Sequence, residues 1–228
     1  MRPNKPILLI FALLLAFACD LPTGGGISGP TVEPPVPASG SILFQDDFSD
    51  PSTGWDRATE ENGGGVVDYD SGVYRIAVNT AEYIYFATPG RNFSDVRIEV
   101  DSAKIGGPDS NRAGLICRYQ VVDKKPHFYF FIVTSDGFFA IGRTDDTLST
   151  LLGQSEMAQS PNIKTGLAIN HLRADCIGST LSFYVNGFLV AQANDSALTG
   201  SGDVGLIAGT FTEGAVDIIF DQFVVMQP

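Results

Sequence analysis

The chain has 228 residues, 44% of them hydrophobic and 18% charged, which excludes a disordered polypeptide and fits one domain with a substantial core. Acidic residues outnumber basic ones, 26 to 14, for a net charge of −12. The basic residues are scattered, which excludes a nucleic-acid-binding surface, and the many Gly and Phe (25 and 16) point to turns and aromatic strands.

At the N-terminus Arg2 and Lys5 precede an unbroken apolar run, Ile7–Ala18. As a helix this run is about 18 Å long, short of the ~30 Å hydrocarbon core, so it reads as a signal segment over residues 1–18 and not as a membrane span. Ala16-Phe17-Ala18-Cys19 resembles a bacterial lipobox, with Ala16 where Leu is more usual. The resemblance implies that Cys19 becomes the acylated first residue and anchors the protein on the extracytoplasmic side of a membrane. The alternative is ordinary secretory cleavage after Ala18, which leaves a free thiol. Residues 19–41 follow as a Pro- and Gly-rich tether; at about 3 Å per residue it reaches on the order of 60 Å.

Residues 42–228 read as strands separated by turn signals, with no helical stripe. Strands are expected at 41–45, 66–68, 72–78, 83–87, 96–104, 112–119, 128–134, 138–143, 170–177, 180–185, 188–194, 202–210 and 217–226. Asn186-Gly187 and Gly178-Ser179 are two-residue hairpin turns, and Ser135-Asp136-Gly137 separates two aromatic runs. Between 171 and 176, Leu172, Ala174 and Cys176 alternate with His171, Arg173 and Asp175, so that strand has one core face and one wet face. In 128–133 both phases are apolar, so that strand is covered on both faces or lines an aromatic groove on one. An all-β, two-sheet antiparallel sandwich follows.

The segments Asp46-Asp47-Phe48-Ser49-Asp50-Pro51…Gly54-Trp55, Gly114-Leu115-Ile116-Cys117-Arg118-Tyr119, Phe128-Tyr129-Phe130-Phe131, Asn170-His171-Leu172-Arg173, Tyr184-Val185-Asn186-Gly187 and Phe220-Asp221-Gln222-Phe223 occur in this order. The series is similar to the concanavalin A-like lectin/glucanase jelly roll, in its laminin G-like and 3-keto-disaccharide hydrolase-like branches. That resemblance implies paired first and last strands and a concave face that often holds glycans. It also implies a structural Ca²⁺ near the first and last strands, for which Asp47 (or Asp46) and Asp221 are the candidates and Asp68 and Asp70 a poorer pair. The other reading is that these aspartates cap turns.

Cys117 and Cys176 both fall on core phases, and an exported chain permits a disulfide. The related jelly rolls also carry a Cys-Arg strand and a later Asp-Cys strand. Two separate buried thiols are the alternative. For a ligand, Phe128 and Phe130 lie on the phase opposite Tyr129 and Phe131, Arg118 opposite Cys117, and Tyr184 opposite Phe183 and Val185. An Arg beside exposed rings suits a sugar, although rings covered by loops are equally compatible with these phases. Trp55 is expected to seal the sandwich edge. No catalytic set is legible. Glu99-Val100-Asp101-Ser102-Ala103-Lys104 follows the laminarinase pattern Glu-x-Asp-x-x-Glu for two carboxylates, then has Lys104 where the third is required. Glu60-Glu61 and Asp145-Asp146 read as solvated turn residues. The expected function is a binding module, for a glycan or another surface ligand. The rivals are a 3-keto-glycoside hydrolase and a structural envelope domain.

Overall fold

The computed structural model describes residues 40–60 and 63–228. The signal segment, Cys19 and the tether up to residue 39 lie outside the described residues. In chain order the strands are β1 (Ile42–Asp46), β2 (Ala58–Thr59), β3 (Gly65–Asp70), β4 (Val73–Val78), β5 (Ile84–Ala87), β6 (Val96–Gly106), β7 (Asn111–Val122) and β8 (Lys125–Val133). They continue as β9 (Phe138–Asp145), β10 (Leu148–Leu151), β11 (Ala158–Gln159), β12 (Asn170–Ile177), β13 (Thr180–Val185), β14 (Phe188–Asn194), β15 (Asp203–Thr210) and β16 (Val216–Met226). The described residues contain no helix.

One sheet has nine strands in the order β14-β13-β12-β6-β16-β4-β3-β2, with β1 also paired to β16. The other has seven, β10-β9-β8-β7-β15-β5, with β11 also paired to β9. All pairings between strands are antiparallel. The first strand therefore meets the last, Asp46 opposite Phe223. Asn186 and Gly187 both have positive φ, 52° and 86°, as the tight β13–β14 turn requires.

The two inner faces close on one core. Ile98, Val100, Leu172, Ala174, Phe183 and Phe220 come from the nine-stranded sheet, and Leu115, Tyr129, Phe131, Ile141 and Leu206 from the other. Phe131 and Phe183 meet across the gap at 5.8 Å. Cys117 on β7 and Cys176 on β12 form a disulfide that ties one sheet to the other. Trp55 seals an edge: it is buried, donates from Nε1 to Asp46 Oδ2 at 3.0 Å, and packs edge-on to Phe223 at 4.8 Å.

The outer faces differ. That of the nine-stranded sheet is polar, with His171 and Arg173 outside while Leu172, Ala174 and Cys176 are buried. That of the seven-stranded sheet carries a second apolar layer of Ile116, Phe128, Phe130, Ile132, Ala140 and Ile207. Both phases of β8 are therefore covered.

Candidate functional site

A bulge in β7 decides which side chains reach that second apolar face. The register against β8 breaks between Cys117 and Gln120, and Arg118 takes φ of 53°. Up to Cys117 the strand alternates, with Ala113, Leu115 and Cys117 inward and Arg112 and Ile116 outward. The inserted residue then turns Arg118 away from the outer face and brings Tyr119 onto it, as β-bulges do. Arg118 is 1% exposed. Its Nη1 donates to Leu198 O at 2.7 Å and its Nη2 to Asp95 Oδ1 at 3.0 Å. The expectation that Arg118 stands beside the rings of Phe128 and Phe130 is corrected: it is an interior strut.

Tyr184 is corrected as well. It lies on the outer face of the nine-stranded sheet, where Arg173 stacks on its ring at 4.2 Å and binds Asp175. The sandwich separates it from Phe128 and Phe130, so the four expected ligand residues do not converge. Phe128 and Phe130 do lie on the expected face, but as a floor. Phe128 is fully buried beneath Phe86 and Tyr119, whose rings are 5.3 and 6.2 Å from it. Phe130 lies flat across Gly142, where a Cβ would come within 2.1 Å of its Cζ.

Above this floor runs a groove of about 180 Å³. Phe130, Ile132 and Ile207 form its base, and Ile84, Leu151, Met157 and Phe211 its apolar walls. Thr144 and Ser149, hydroxyl to hydroxyl at 3.1 Å, and Arg112 supply the polar groups. Arg112 is half-buried, and its guanidinium stacks on Phe211 at 4.2 Å. Burial pulls its pKa down and the charge of Glu82 opposes that shift. Arg112 has no ion-pair partner among the described residues, and its Nε is buried without a hydrogen-bond acceptor. Sequence reasoning missed Arg112, Tyr119 and Phe211. The phase of Arg112 with Ile116 was a usable signal. Nothing in the residue pattern announces the bulge that exposes Tyr119.

Glu99 and Asp101 sit on β6, on the other sheet. Both are engaged by His171, with Nδ1 2.8 Å from Asp101 Oδ1 and Nε2 3.4 Å from Glu99 Oε2. Lys104 is buried, with its amine on Gly107 O and Asp109. The near-motif thus does not open onto the groove.

A larger depression, about 310 Å³, is lined by Asp46, Asp47, Asp50 and Gln222 among others. Asp46 accepts from the Phe48 amide, Thr53 and Trp55, and Asp47 and Asp50 each bind the Ser two residues on. Asp221 does not line this depression, and its Oδ1 accepts from the Gln222 amide at 2.7 Å. Ca²⁺ takes six to eight oxygens. Among the described residues no group of three or more His, Cys, Asp or Glu is placed to hold a metal ion. Of the Asp47–Asp221 pair expected from the resemblance, Asp47 lines this depression and Asp221 lies outside it.

Two packed antiparallel sheets, with the first strand paired to the last inside the nine-stranded sheet and one apolar outer face, define a jelly-roll β-sandwich. The chain is similar to the carbohydrate-binding module CBM66 from Bacillus subtilis, at 18% identity over 76% of this chain and 96% of that one, TM-score 0.56. It is also similar to the β-glucanase of Bacillus licheniformis, at 12% identity over 81% and 98%, TM-score 0.61. A Bacillus subtilis protein with a galectin-like fold superposes at TM-score 0.64, with 12% identity over 83% and 97%. At such identities the likeness is one of fold. No protein-family model and no curated protein matches the chain.

Proposed function

We propose that the protein is an extracytoplasmic, lipid-anchored module that binds a saccharide in the groove over the seven-stranded sheet and does not hydrolyse it. The observation that carries this reading is the groove itself: an apolar floor, the rings of Phe130 and Phe211, two hydroxyls and one guanidinium. That mixture suits a sugar, which offers apolar C–H faces and a rim of hydroxyls. The neighbouring fold in a carbohydrate-binding module and in a glucanase supports the same class of ligand. The absence of any carboxylate among the residues lining the groove supports binding without hydrolysis, since glycoside hydrolysis ordinarily needs a pair of carboxyl groups. The anchor reading rests on the Arg2–Cys19 segment.

A glycan-array screen of the full-length protein in mild detergent tests the reading. Met157→Ala and Phe211→Ala, at half-buried residues of the groove wall, are expected to lower binding to the best glycan about tenfold, with melting temperatures close to the parent's. An array that binds no glycan overturns the proposal. Release of reducing sugar from a bound glycan overturns its non-catalytic half.

A further inference from the structure

We infer that the groove recognises an acidic saccharide and that Arg112 is the seat of its oxyanion, a uronate carboxylate or a sulfate ester. The inference rests on the saccharide reading of the groove and goes further, to the chemical class of the sugar.

The first ground is the isolation of Arg112. Arg57, Arg75, Arg97, Arg118, Arg143 and Arg173 each hold an aspartate within ion-pair distance. Arg91, which like Arg112 has no such partner among the described residues, is solvent-exposed over Phe44, so its charge stays open to water. Arg112 is half-buried, so its charge is partly desolvated without a carboxylate to offset the loss. Acids outnumber bases in this chain, so partners are not scarce. Glu82 is near enough to influence the guanidinium but forms no ion pair with it.

The second ground is geometry. Arg112 Cζ lies 4.2 Å from the centroid of the Phe211 ring, a cation–π contact that holds the guanidinium at the groove wall. A planar fork held this way is preorganised for a carboxylate or sulfate, which it can bind through two parallel hydrogen bonds. Nε is closed to solvent, so the donors open to an oxyanion are those of Nη1 and Nη2.

The third ground is what surrounds the fork. Its neighbours along the groove are Ile84, Ile132, Ile207 and Phe211, none of which competes for the guanidinium or repels an anion. The low local polarity strengthens a charge-assisted contact. The paired hydroxyls of Thr144 and Ser149 can exchange hydrogen bonds with neutral sugar hydroxyls further along.

Isothermal titration of the full-length protein in mild detergent, at fixed ionic strength, tests the inference. The probes are short oligogalacturonates and their methyl esters, and a sulfated oligosaccharide with its desulfated parent. One acidic probe is expected to bind about tenfold or more tightly than its neutral counterpart, the size of one charge-assisted contact. Arg112→Met, which keeps the apolar stem, is expected to erase that preference. Arg57→Met, which removes a surface arginine paired with Asp68 outside the groove, is expected to leave it intact. The ester and desulfated arms need no variant, so the result stands even if Arg112→Met unfolds. Equal affinity for charged and neutral members of both pairs overturns the inference and leaves the saccharide reading in place. Failure of every glycan on the array and every probe here overturns both.

Discussion

Arg112 and Arg118 lie on one strand, six positions apart, and have opposite surroundings. By simple alternation both should face outward. Arg118 is instead an interior strut between Leu198 O and Asp95, because the bulge gives it a left-handed backbone conformation. Arg118→Ala removes a fully buried side chain and leaves a cavity and an unpaired carbonyl, so it is expected to destabilise the fold by about 3 kcal/mol in urea titrations. A loss below about 1 kcal/mol would show that the strut is dispensable. Gly142 makes the complementary case. Phe130 can lie flat only because residue 142 has no Cβ. Gly142→Ala is expected to lift the ring and to destabilise by roughly 1–3 kcal/mol through overpacking. Groove binding should fall with it, and an unchanged melting curve would contradict the packing. The kind of group that lines the site was thus legible in the sequence, an arginine beside rings. Its identity was not, because a bulge is set by pairing with β8 and β15 and leaves no mark in the alternation of β7 itself.

At the scale of elements, long strands were legible and short ones were not. The thirteen expected strands all occur, because each contains a run of alternating or continuous apolar residues bounded by turn residues. β2, β10 and β11 were missed: they are two to four residues long, and β10 reads Leu-Ser-Thr-Leu, too short to show a period. The omission matters, since β10 and the segment before β11 bring Ser149, Leu151 and Met157 to the groove wall. The link between sheets was legible from the core phases of Cys117 and Cys176. That disulfide closes a separation of 59 residues, for which the chain-entropy model gives about 4 kcal/mol. Reduction is therefore expected to lower the urea midpoint markedly, and coincident transitions with and without reductant would deny it that role. On the polar sheet, hydrogen bonding to Glu99 is the largest effect on His171 and raises its pKa above the ordinary 6.5; burial opposes it and the contact with Asp101 adds to it. A raised folded-state pKa gives stability that is complete below 6.5 and disappears as pH rises through the folded value. His171→Asn is expected to be less stable than the parent at about pH 5 and equal to it at about pH 9. The ring is 44% exposed, so solvent screens the effect and the difference in melting temperature should be small. A deficit that persists unchanged at high pH would assign the loss to packing instead.

For the whole molecule, the groove and the N-terminal segment have to be considered together. A shallow groove with one guanidinium and a few aromatic edges gives affinities in the micromolar to millimolar range, about −8 to −4 kcal/mol. A monomer free in solution would therefore leave a polymer readily. Copies held side by side on a membrane engage repeated units of one polymer, and such linkage multiplies affinity by roughly 10² to 10⁴ when the geometry permits. On the reading of residues 19–41 as a tether, their Pro- and Gly-rich composition would supply the reach for this. Acylation at Cys19 would supply the array, because each buried acyl CH₂ contributes about 0.8 kcal/mol and more than one chain is needed for a firm hold. Cys19→Ser separates the two parts of the argument. The variant is expected to leave the membrane fraction or to remain unprocessed. Its binding to a short soluble oligosaccharide should be unchanged, while capture of intact cells by the immobilised polymer should fall by about a hundredfold. Normal processing and full membrane retention would rule out acylation at Cys19. Loss of oligosaccharide binding along with the anchor would mean that the groove does not act independently of the N-terminal segment.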